Sequence, residues 1–524
     1  MVGKKELKEI LSARFKNDKH TKISQIPLPS DLKDTYKAAN RIKEAINNNE
    51  KIAIIGDYDV DGVVSSVIMN DFLSELGANF IVKIPNRFTD GYGLNPQMLN
   101  ELDGINLIIT VDNGISANDA AEICYKKRID LIITDHHMPP PTLPKAYAII
   151  NPKQNDCTFP NVEICGAQVA WYLIGALKEI CNVNYDMSEL LDLLIIAIIA
   201  DMMELRDLNR ALLKFGIKKL NNSKRACFKA IREHYFKKKF EFDDISYTIA
   251  PLINSTGRMD DASLSYKFLC SKNIKEANYY LDQITKINRS RKEEEHILYK
   301  QSLQNVDEND HILVTWGENW HEGVIGIVAS RLTKNYKKPA IVFSIDKDAN
   351  RAKGSARSIG KFDILELIAS QKELLEGFGG HKGAAGLVIN PQNLSEFKRK
   401  INNACFNVNH GNFTFADEIL GELNLSELDN EMLKILEFYE PYGQKNPRPL
   451  FKLENAIVKN IKIIGKEKNH AKIAIEKNNA IREGLFFNFN FLPQVGDSFS
   501  FIASIGKNSF RGEISPELII KEIL

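Results

Sequence analysis

The sequence predicts a multidomain α/β chain that ends in a small all-β module, and three observations carry this expectation. Over the first third, short apolar runs of strand type alternate with stretches of helix length. Residues 272–305, dense in Lys, Glu and Asn and free of Pro and Gly, read as one long polar helix. From 451 the pattern changes to alternating strands punctuated by Gly and Asn. At roughly 100–200 residues per domain, the 524 residues allow three or four domains. A hydrophobic share of 44% and a charged share of 26% suffice for several buried cores and exclude a mainly disordered chain.

In chain order, residues 51–55 (KIAII) form the first strand and lead into GDYDVDG at 56–62. A helix follows, with Val63, Val64, Val67, Ile68 and Leu73 at helical spacing and Gly77 as its stop. INLIIT (105–110) and IDLIIT (129–134) are near copies 24 residues apart, separated by an Ala- and Lys-containing helical stretch, which makes them two strands of one parallel sheet. A further run at 148–150 ends at Asn151-Pro152, and helices are expected over 165–180 and 187–205. The first domain, 1–265, is thus an open, mostly parallel sheet with helical additions, and 266–307 is a connector helix. A second α/β domain over 308–408 has a strand at 311–316, a helix at 323–335, a strand at 340–344, a basic turn, a helix at 363–375 and a glycine-rich stretch at 377–387. After a linking segment, 409–450, five short strands in 451–524 suggest an OB-like β-barrel.

Lys plus Arg (69) almost cancel Asp plus Glu (68), so a net charge of +1 points to neither nucleic acid nor membrane. Any polyanion site must come from local clustering, and 331–361 supplies one: nine basic residues against Asp346 and Asp348, a net of +7. The seven cysteines (124, 157, 165, 181, 227, 270, 405) are odd in number and contain no C-x-x-C pair, as expected of reduced thiols in the cytoplasm. The N-terminus shows no apolar signal core, and the run Leu193–Ala200 is too short to span a bilayer, so a soluble, cytoplasmic chain without membrane contact is expected.

In open α/β sheets ligands bind beyond the carboxyl ends of the strands. Here those ends carry Asp57, Asp59 and Asp61, then Asp112-Asn113-Gly114, then Asp135-His136-His137, while Asp201 closes the apolar helix LLIIAIIA. Clustered carboxylates repel one another unless cations sit among them. Oxygen and imidazole donors without thiolate suit Mg²⁺ or Mn²⁺. An EF-hand is excluded, because its twelfth loop position would be Ile68 and a strand, not a helix, precedes the loop. If the loop stays extended, residues 57, 59 and 61 point to one side, enough for two ions. Adjacent histidines cannot both point the same way: His136 is assigned to metal and leaves His137 to meet a substrate phosphate.

GDYDVDG, VDNG, TDHH and the later Asp201 resemble in order the four motifs of the DHH phosphoesterase superfamily. PNRFTDGYGLN, NPKQNDCTFP, ICGAQVAW, NSTGRMDDAS, WHEGVIGIVASRL, KGSARS, GFGGHKGAAG and PYGQKNPRPLF resemble signatures of its RecJ family, bacterial exonucleases specific for single-stranded DNA, and cover roughly residues 50–451. The resemblance implies a DHH catalytic domain, a DHH-associated domain and two divalent cations held by Asp59, Asp61, Asp112, His136 and Asp201, with Asp112 as bridge. Asp57 joins them, although pyrophosphatase-like relatives place a His nearby. It implies a pocket for the strand's 5′ phosphate made of Ser355, Arg357 and Arg87, with Arg258 and His381 on the backbone beyond. The implied activity is 5′ to 3′ release of mononucleotides in recombination and repair, with single-strand binding protein and a helicase as partners. The rivals are a phosphodiesterase of oligoribonucleotides or cyclic dinucleotides and a non-catalytic single-strand-binding relative. Gly354–Ser358 is not a P-loop, since Phe362 stands where Ser or Thr is needed. Phe486, Phe487, Phe489, Phe491, Phe499 and Phe501 are expected mainly as barrel core, with base stacking as the other use.

Overall fold

The computed structural model describes residues 1–406, 419–465, 467–489, 491–510 and 513–524. It divides into two units: Pro29–Ala200 with Leu220–Ala416, and Met1–Leu28 with Asp201–Lys219 and Asp417–Leu524. The boundary expected at 408/409 lies outside the described residues. The first helix, α1 (Lys4–Ala13), belongs to the second unit.

The first unit opens with α2 (Thr35–Asn47), β1 (Ile52–Ile55), α3 (Val60–Glu75), β2 (Phe80–Lys83), β3 (Leu107–Val111), α4 (Asn118–Lys127), β4 (Asp130–Thr134) and β5 (Ala148–Ile150). The strands stand in the order β2-β1-β3-β4-β5, and every neighbouring pair is parallel. Each residue of β1 and β3 is buried, which explains why both read as unbroken apolar runs. Strand β2, absent from the sequence expectation, lies at the sheet edge and buries its residues only in part. Helix α5 (Gly166–Cys181) packs on α2 and α3, and α6 (Leu191–Ala200) packs on α3. The helix expected over 187–205 is shorter, because its first turn is a 3-10 turn at Met187–Leu190 and α6 ends at Ala200.

After α7 (Asp207–Asn221), which up to Lys219 belongs to the second unit, come α8 (Ala226–His234), the single turn α9 (Phe242–Asp244), α10 (Ala250–Met259), α11 (Ser263–Leu269) and the 30-residue α12 (Ile274–Leu303). Along α12 a stripe of Ala277, Leu281, Ile284, Asn288, Arg291, Leu298 and Ser302 is buried, so even a helix this polar keeps one packed face. The second sheet contains β6 (Leu313–Glu318), α13 (Glu322–Tyr336), β7 (Ala340–Asp346), β8 (Arg351–Arg357), α14 (Ile364–Ala369), β9 (Leu375–His381), β10 (Ala384–Ile389) and α15 (Leu394–Phe406). Its order is β6-β7-β8-β10-β9, parallel between β6 and β7 and antiparallel elsewhere. The helix expected over 363–375 stops at Ala369, and the glycine-rich stretch after it is the antiparallel pair β9–β10.

The second unit holds β11 (Ile419–Glu422), α16 (Asn430–Tyr439), β12 (Leu450–Ile464), β13 (His470–Lys477), β14 (Ala480–Phe487), β15 (Ser498–Phe510) and β16 (Glu513–Ile523). The order β11-β12-β13-β14-β16-β15, with β12 also pairing with β15, closes five strands into the expected barrel. These strands are longer than expected, at 8–15 residues, because β12 and β15 run through register shifts rather than ending at them. Met1–Leu28 joins this unit and not the parallel sheet it precedes: Leu7 and Leu11 are buried in the same core as Met432 and Leu436, and the Val2 N–H donates to the Glu422 carbonyl at 2.6 Å. Of the candidate stacking rings, Phe486 and Phe501 are buried in the barrel core, Phe489 and Phe499 pack partly against it, and Phe487 and Phe491 are exposed. Among the described residues no helix is long and apolar enough to cross a membrane.

Candidate active site

The parallel sheet delivers its acids at the carboxyl ends of three adjacent strands, β1, β3 and β4. After β1, Asp57 is buried and Asp59 is the N-cap of α3, its carboxylate accepting from the Asp61 and Gly62 N–H groups at 3.0 and 3.1 Å. Asp61 therefore lies in the first helical turn. This corrects the expectation of an extended loop with 57, 59 and 61 on one side: capping starts the helix at Val60 and rotates Asp61 away from its neighbours. Asp57 and Asp59 gather with Asp112, while an Asp61 carboxylate oxygen lies 3.8 Å from His136 Nε2; Asp201, the residue after the end of α6, falls in the second unit. The Asp61 carboxylate also accepts from Gly166 N (2.6 Å) and Ala167 N (2.8 Å) at the start of α5, where helix geometry favours an anion.

Asp112 follows β3 with φ +64, a left-handed conformation that costs a non-glycine residue about 1–2 kcal/mol. Its Oδ1 lies 3.2 Å from His136 Nε2, and it belongs both to the group with Asp57 and Asp59 and to a group with His136 and His137. This double membership suits a ligand between two cations. Gly166 makes the approach possible: a Cβ there would sit 2.5 Å from the Asp112 Cβ.

The third strand end supplies Asp135, His136 and His137. Asp135 is fully enclosed, and its Oδ1 accepts from His136 N (2.7 Å), His137 N (3.0 Å) and His137 Nδ1 (2.7 Å), while Oδ2 accepts from Ile115 N (2.9 Å). Burial pushes the Asp135 pKa up, but the His137 hydrogen bond and the two imidazoles outweigh it and hold the carboxyl below its ordinary value. The proton between them therefore resides on His137 Nδ1, which turns Nε2 away from Asp135. Burial first, and then the neighbouring His137, push His136 down to about 3, which keeps it a neutral donor. Burial and the Asp59 charge push Asp57 well above the usual carboxylate range and Asp61 up to about 6. Two groups within this unit, Asp57 with Asp59 and Asp112, and Asp112 with His136 and His137, each with donor atoms within 4.8 Å of one another, fit hard divalent cations, which would offset this strain.

Beside the acids lies a set of guanidinium groups in the same unit. Arg87, after β2, stacks over the Tyr58 ring at 4.2 Å. Arg258, in the last turn of α10, is half-buried and donates from Nη1 to the Gly323 carbonyl at 3.4 Å. Burial lowers its pKa to about 10, helped by the positive charges of Arg87, Arg357 and Arg291. Arg357, at the end of β8, donates from Nη1 to Ser355 Oγ (3.0 Å) and to the Ala356 carbonyl (2.8 Å). Gly326 of α13 faces both, since a Cβ there would lie 2.9 Å from Arg357 Nη2 and from Ser355 Oγ. His381 ends β9, and its pKa is lowered by burial and then by the charges of His137 and Lys153.

The structure brings the acids and histidines of the three strand ends together, sets Arg87, Arg258 and Arg357 within one another's field, leaves Asp201 in the second unit, and trims the basic run at 331–361. Arg331, Lys347, Arg351 and Lys353 meet Glu295, Glu318, Glu376 and Glu322 at 3.7, 2.7, 2.7 and 2.9 Å. Among the described residues Arg357 meets no carboxylate and is held by Ser355 Oγ and a backbone carbonyl instead. Sequence reasoning missed the positioning role of Asp135, for which its place directly before the histidine pair was the signal. It also missed Tyr92, whose hydroxyl donates to the Asp112 carbonyl at 3.4 Å and whose ring meets His137 edge-on at 6.3 Å. Nothing in the local pattern distinguished Tyr92.

Family models match three segments: "DHH family, N-terminal domain" at 51–198, "DHHA1 domain" at 309–406 and "RecJ OB domain" at 419–522. The single-stranded-DNA-specific exonuclease RecJ of Haemophilus influenzae is 32% identical over 527 residues, covering 94% of this chain and 91% of that protein. The chain belongs to the RecJ family. RecJ of Bacillus subtilis is 33% identical over 514 residues, covering 96% of this chain, which spans 65% of that relative's length. The crystal structure of Thermus thermophilus RecJ in complex with Mn²⁺ superimposes with a TM-score of 0.86 at 25% identity, covering 100% of this chain and 76% of that one. On the RecJ-family frame, the three acid-bearing strand ends fall in the DHH match, Ser355, Arg357 and His381 fall in the DHHA1 match, and the five-stranded barrel falls in the OB match.

Proposed function

We propose that this RecJ-family chain is a metal-dependent exonuclease that degrades single-stranded DNA from its 5′ end and releases mononucleotides, in recombination and repair. The observation that carries the reading is the placement, within one unit, of Asp57, Asp59, Asp61, Asp112 and His136 beside the Arg87, Arg258 and Arg357 guanidinium groups. The names of the relatives, exonucleases specific for single-stranded DNA, and the Mn²⁺ of the Thermus thermophilus structure support it.

Asp57, Asp59, Asp61, Asp112 and His136, with Asp201 added by the family resemblance, would hold two cations, Mn²⁺ or Mg²⁺. Such ions, when bound, lower the pKa of water and neutralise charge on the phosphoryl oxygens. The protein side chains do the rest. His137, oriented through Nδ1 by Asp135, presents Nε2 to the scissile phosphate. Arg357, braced by Ser355, and Arg87, braced on Tyr58, clasp the terminal 5′ phosphate, whose extra charge and free oxygens suit forked guanidinium bonds. A pocket that accepts only a strand end imposes an exonuclease mode and a 5′ to 3′ direction. Arg258 and His381 hold the backbone that follows, and the barrel offers a surface for the incoming strand. Single-strand binding protein and a helicase are the proposed partners, in the cytoplasm.

Asp112→Ala and His136→Ala test the site. Each purified variant is expected to keep a cooperative thermal transition and to lose hydrolysis of labelled single-stranded DNA. Wild-type rates in either variant refute the assignment.

A further inference from the structure

The barrel-containing unit carries a cationic and aromatic cluster built from α7, the end of α16 and Phe15, none of which is assigned a role in the proposed hydrolysis. Arg206, Arg210 and Lys214 follow one another at four-residue spacing at the start and along one face of α7. Arg206 is neutralised: Nε and Nη2 donate to Asp18 Oδ1 at 3.0 and 2.6 Å. Arg210 and Lys214 are not. Among the described residues neither meets a carboxylate, and both donate to one acceptor, the Phe438 carbonyl at the end of α16, at 3.2 and 2.7 Å. Nearby acids are engaged elsewhere: Asp18, whose charge also reaches Arg210, is bonded to Arg206 at 2.6 Å, Glu437 meets Lys507 at 3.0 Å and Glu204 meets Lys445 at 3.7 Å.

The same cations lie on aromatic rings. Arg210 stacks over Phe15 at 4.1 Å and Lys214 over Phe438 at 4.6 Å. Phe15 stacks on Tyr439 at 5.9 Å, and Tyr439 meets Phe438 edge-on at 5.1 Å. Phe438 is 66% exposed, a large apolar ring presented to solvent beside two unneutralised charges. A cation at a helix C-terminus is a common cap, and one would satisfy that carbonyl. The second adds repulsion: burial, and then Arg210, push Lys214 down to about 8. An anion placed against both side chains would remove that repulsion.

We propose that Arg210, Lys214 and Phe438 form an auxiliary site for single-stranded DNA, the two cations taking a backbone phosphate and the Phe438 ring stacking a base. Exposed rings interleaved with cations match the chemistry of single-strand binding, where stacking tolerates any base and the charges follow the backbone. Duplex DNA, whose bases are already stacked, and an acidic peptide, which has no base, use only half of the site. The inference rests on the proposed DNA substrate, but it concerns affinity and not hydrolysis.

The test measures binding in chelator, so that cleavage plays no part, of Phe438→Ala and Lys214→Gln to a strand longer than the ~4–16 nucleotides one barrel accommodates. Phe438→Ala is expected to weaken binding roughly 5-fold or more, and Lys214→Gln to reduce the slope of log affinity against log salt by about 0.7. Wild-type affinity in the first variant together with a wild-type slope in the second overturns the site. Loss of affinity that is equal for duplex DNA and for polyglutamate overturns the assignment to single strands. Phe438→Ala removes an exposed ring and leaves the carbonyl in place, so the test stands even if Lys214→Gln lowers the thermal midpoint. Failure of wild-type protein to hydrolyse DNA in Mn²⁺ would instead refute the proposed activity and leave this binding measurement intact.

Discussion

Gly166→Ala separates catalysis from stability. Gly166 opens α5, its N–H donates to Asp61, and the space where a Cβ would stand is filled by Asp112. An added methyl would lie 2.5 Å from the Asp112 Cβ and 2.7 Å from its Cγ. Carbon atoms prefer separations of ~3.5–4.0 Å, so one of the two residues must move by about 1 Å. Asp112 cannot retreat cheaply, because it is buried and already holds a left-handed backbone conformation. The cost to the fold is modest: about 1–3 kcal/mol of overpacking, offset by up to about 1 kcal/mol of helix propensity gained over glycine. The cost to the site is large, since a misplacement of about 1 Å can lower rates ~100-fold. Steady-state hydrolysis of single-stranded DNA, Mn²⁺ titration by calorimetry and a thermal scan read the three effects separately. The expected result is a thermal midpoint shifted by a few degrees with activity reduced about 100-fold or more. Activity within a few-fold of wild type would refute the role of this close approach in placing Asp112.

Two further outcomes follow from the same geometry. Arg357→Ala is expected to raise KM for 5′-phosphorylated strands while changing KM little for 5′-hydroxyl strands; equal losses on both substrates would remove Arg357 from the terminal pocket. The stabilisation conferred by Mn²⁺ is expected to grow as pH rises through about 6. Asp61 in the metal-free fold has a pKa raised above its ordinary value, mainly by burial, so its contribution to stability is fully present below about 4 and is lost as pH rises through about 6. Metal binding needs the ionised form, so added Mn²⁺ restores what deprotonation takes away. His136 runs in the opposite sense: its pKa is lowered to about 3, so its contribution is present above about 6.5 and fades as pH falls. Thermal scans with and without Mn²⁺ across this range check the point, and a metal-induced shift as large at pH ~5 as at pH ~8 would contradict it.

Much of the site was legible because the sheet is parallel and buried. A parallel strand must end in a loop at the ligand-binding edge, so Asp57, Asp112 and Asp135 could be placed from apolar runs alone. Asp61 shows where such reasoning stops: its direction depends on whether the chain caps a helix at Asp59, which is decided by two backbone hydrogen bonds rather than by composition. The same limit applies to the arginines. Arg87, Arg258 and Arg357 are separated by more than 90 residues at each step, and tertiary packing, that of α10 against α13 included, puts them in one field. At the N-terminus, the apolar residues Leu7 and Leu11 mark a buried face of α1, but their partners lie beyond residue 420, out of reach of any local pattern. Strand β2 was missed because an edge strand buries too little to impose a strong periodicity.

The measurement that tests the central claim most directly is digestion of single strands labelled at the 5′ or the 3′ end, as DNA or RNA, in Mn²⁺, Mg²⁺ or chelator. The account predicts immediate release of the 5′ label from DNA as a mononucleotide, late release of the 3′ label, little action on RNA and no reaction in chelator. Release of the 3′ label first, preference for short RNA or cyclic dinucleotides, or hydrolysis undiminished by chelator would contradict it.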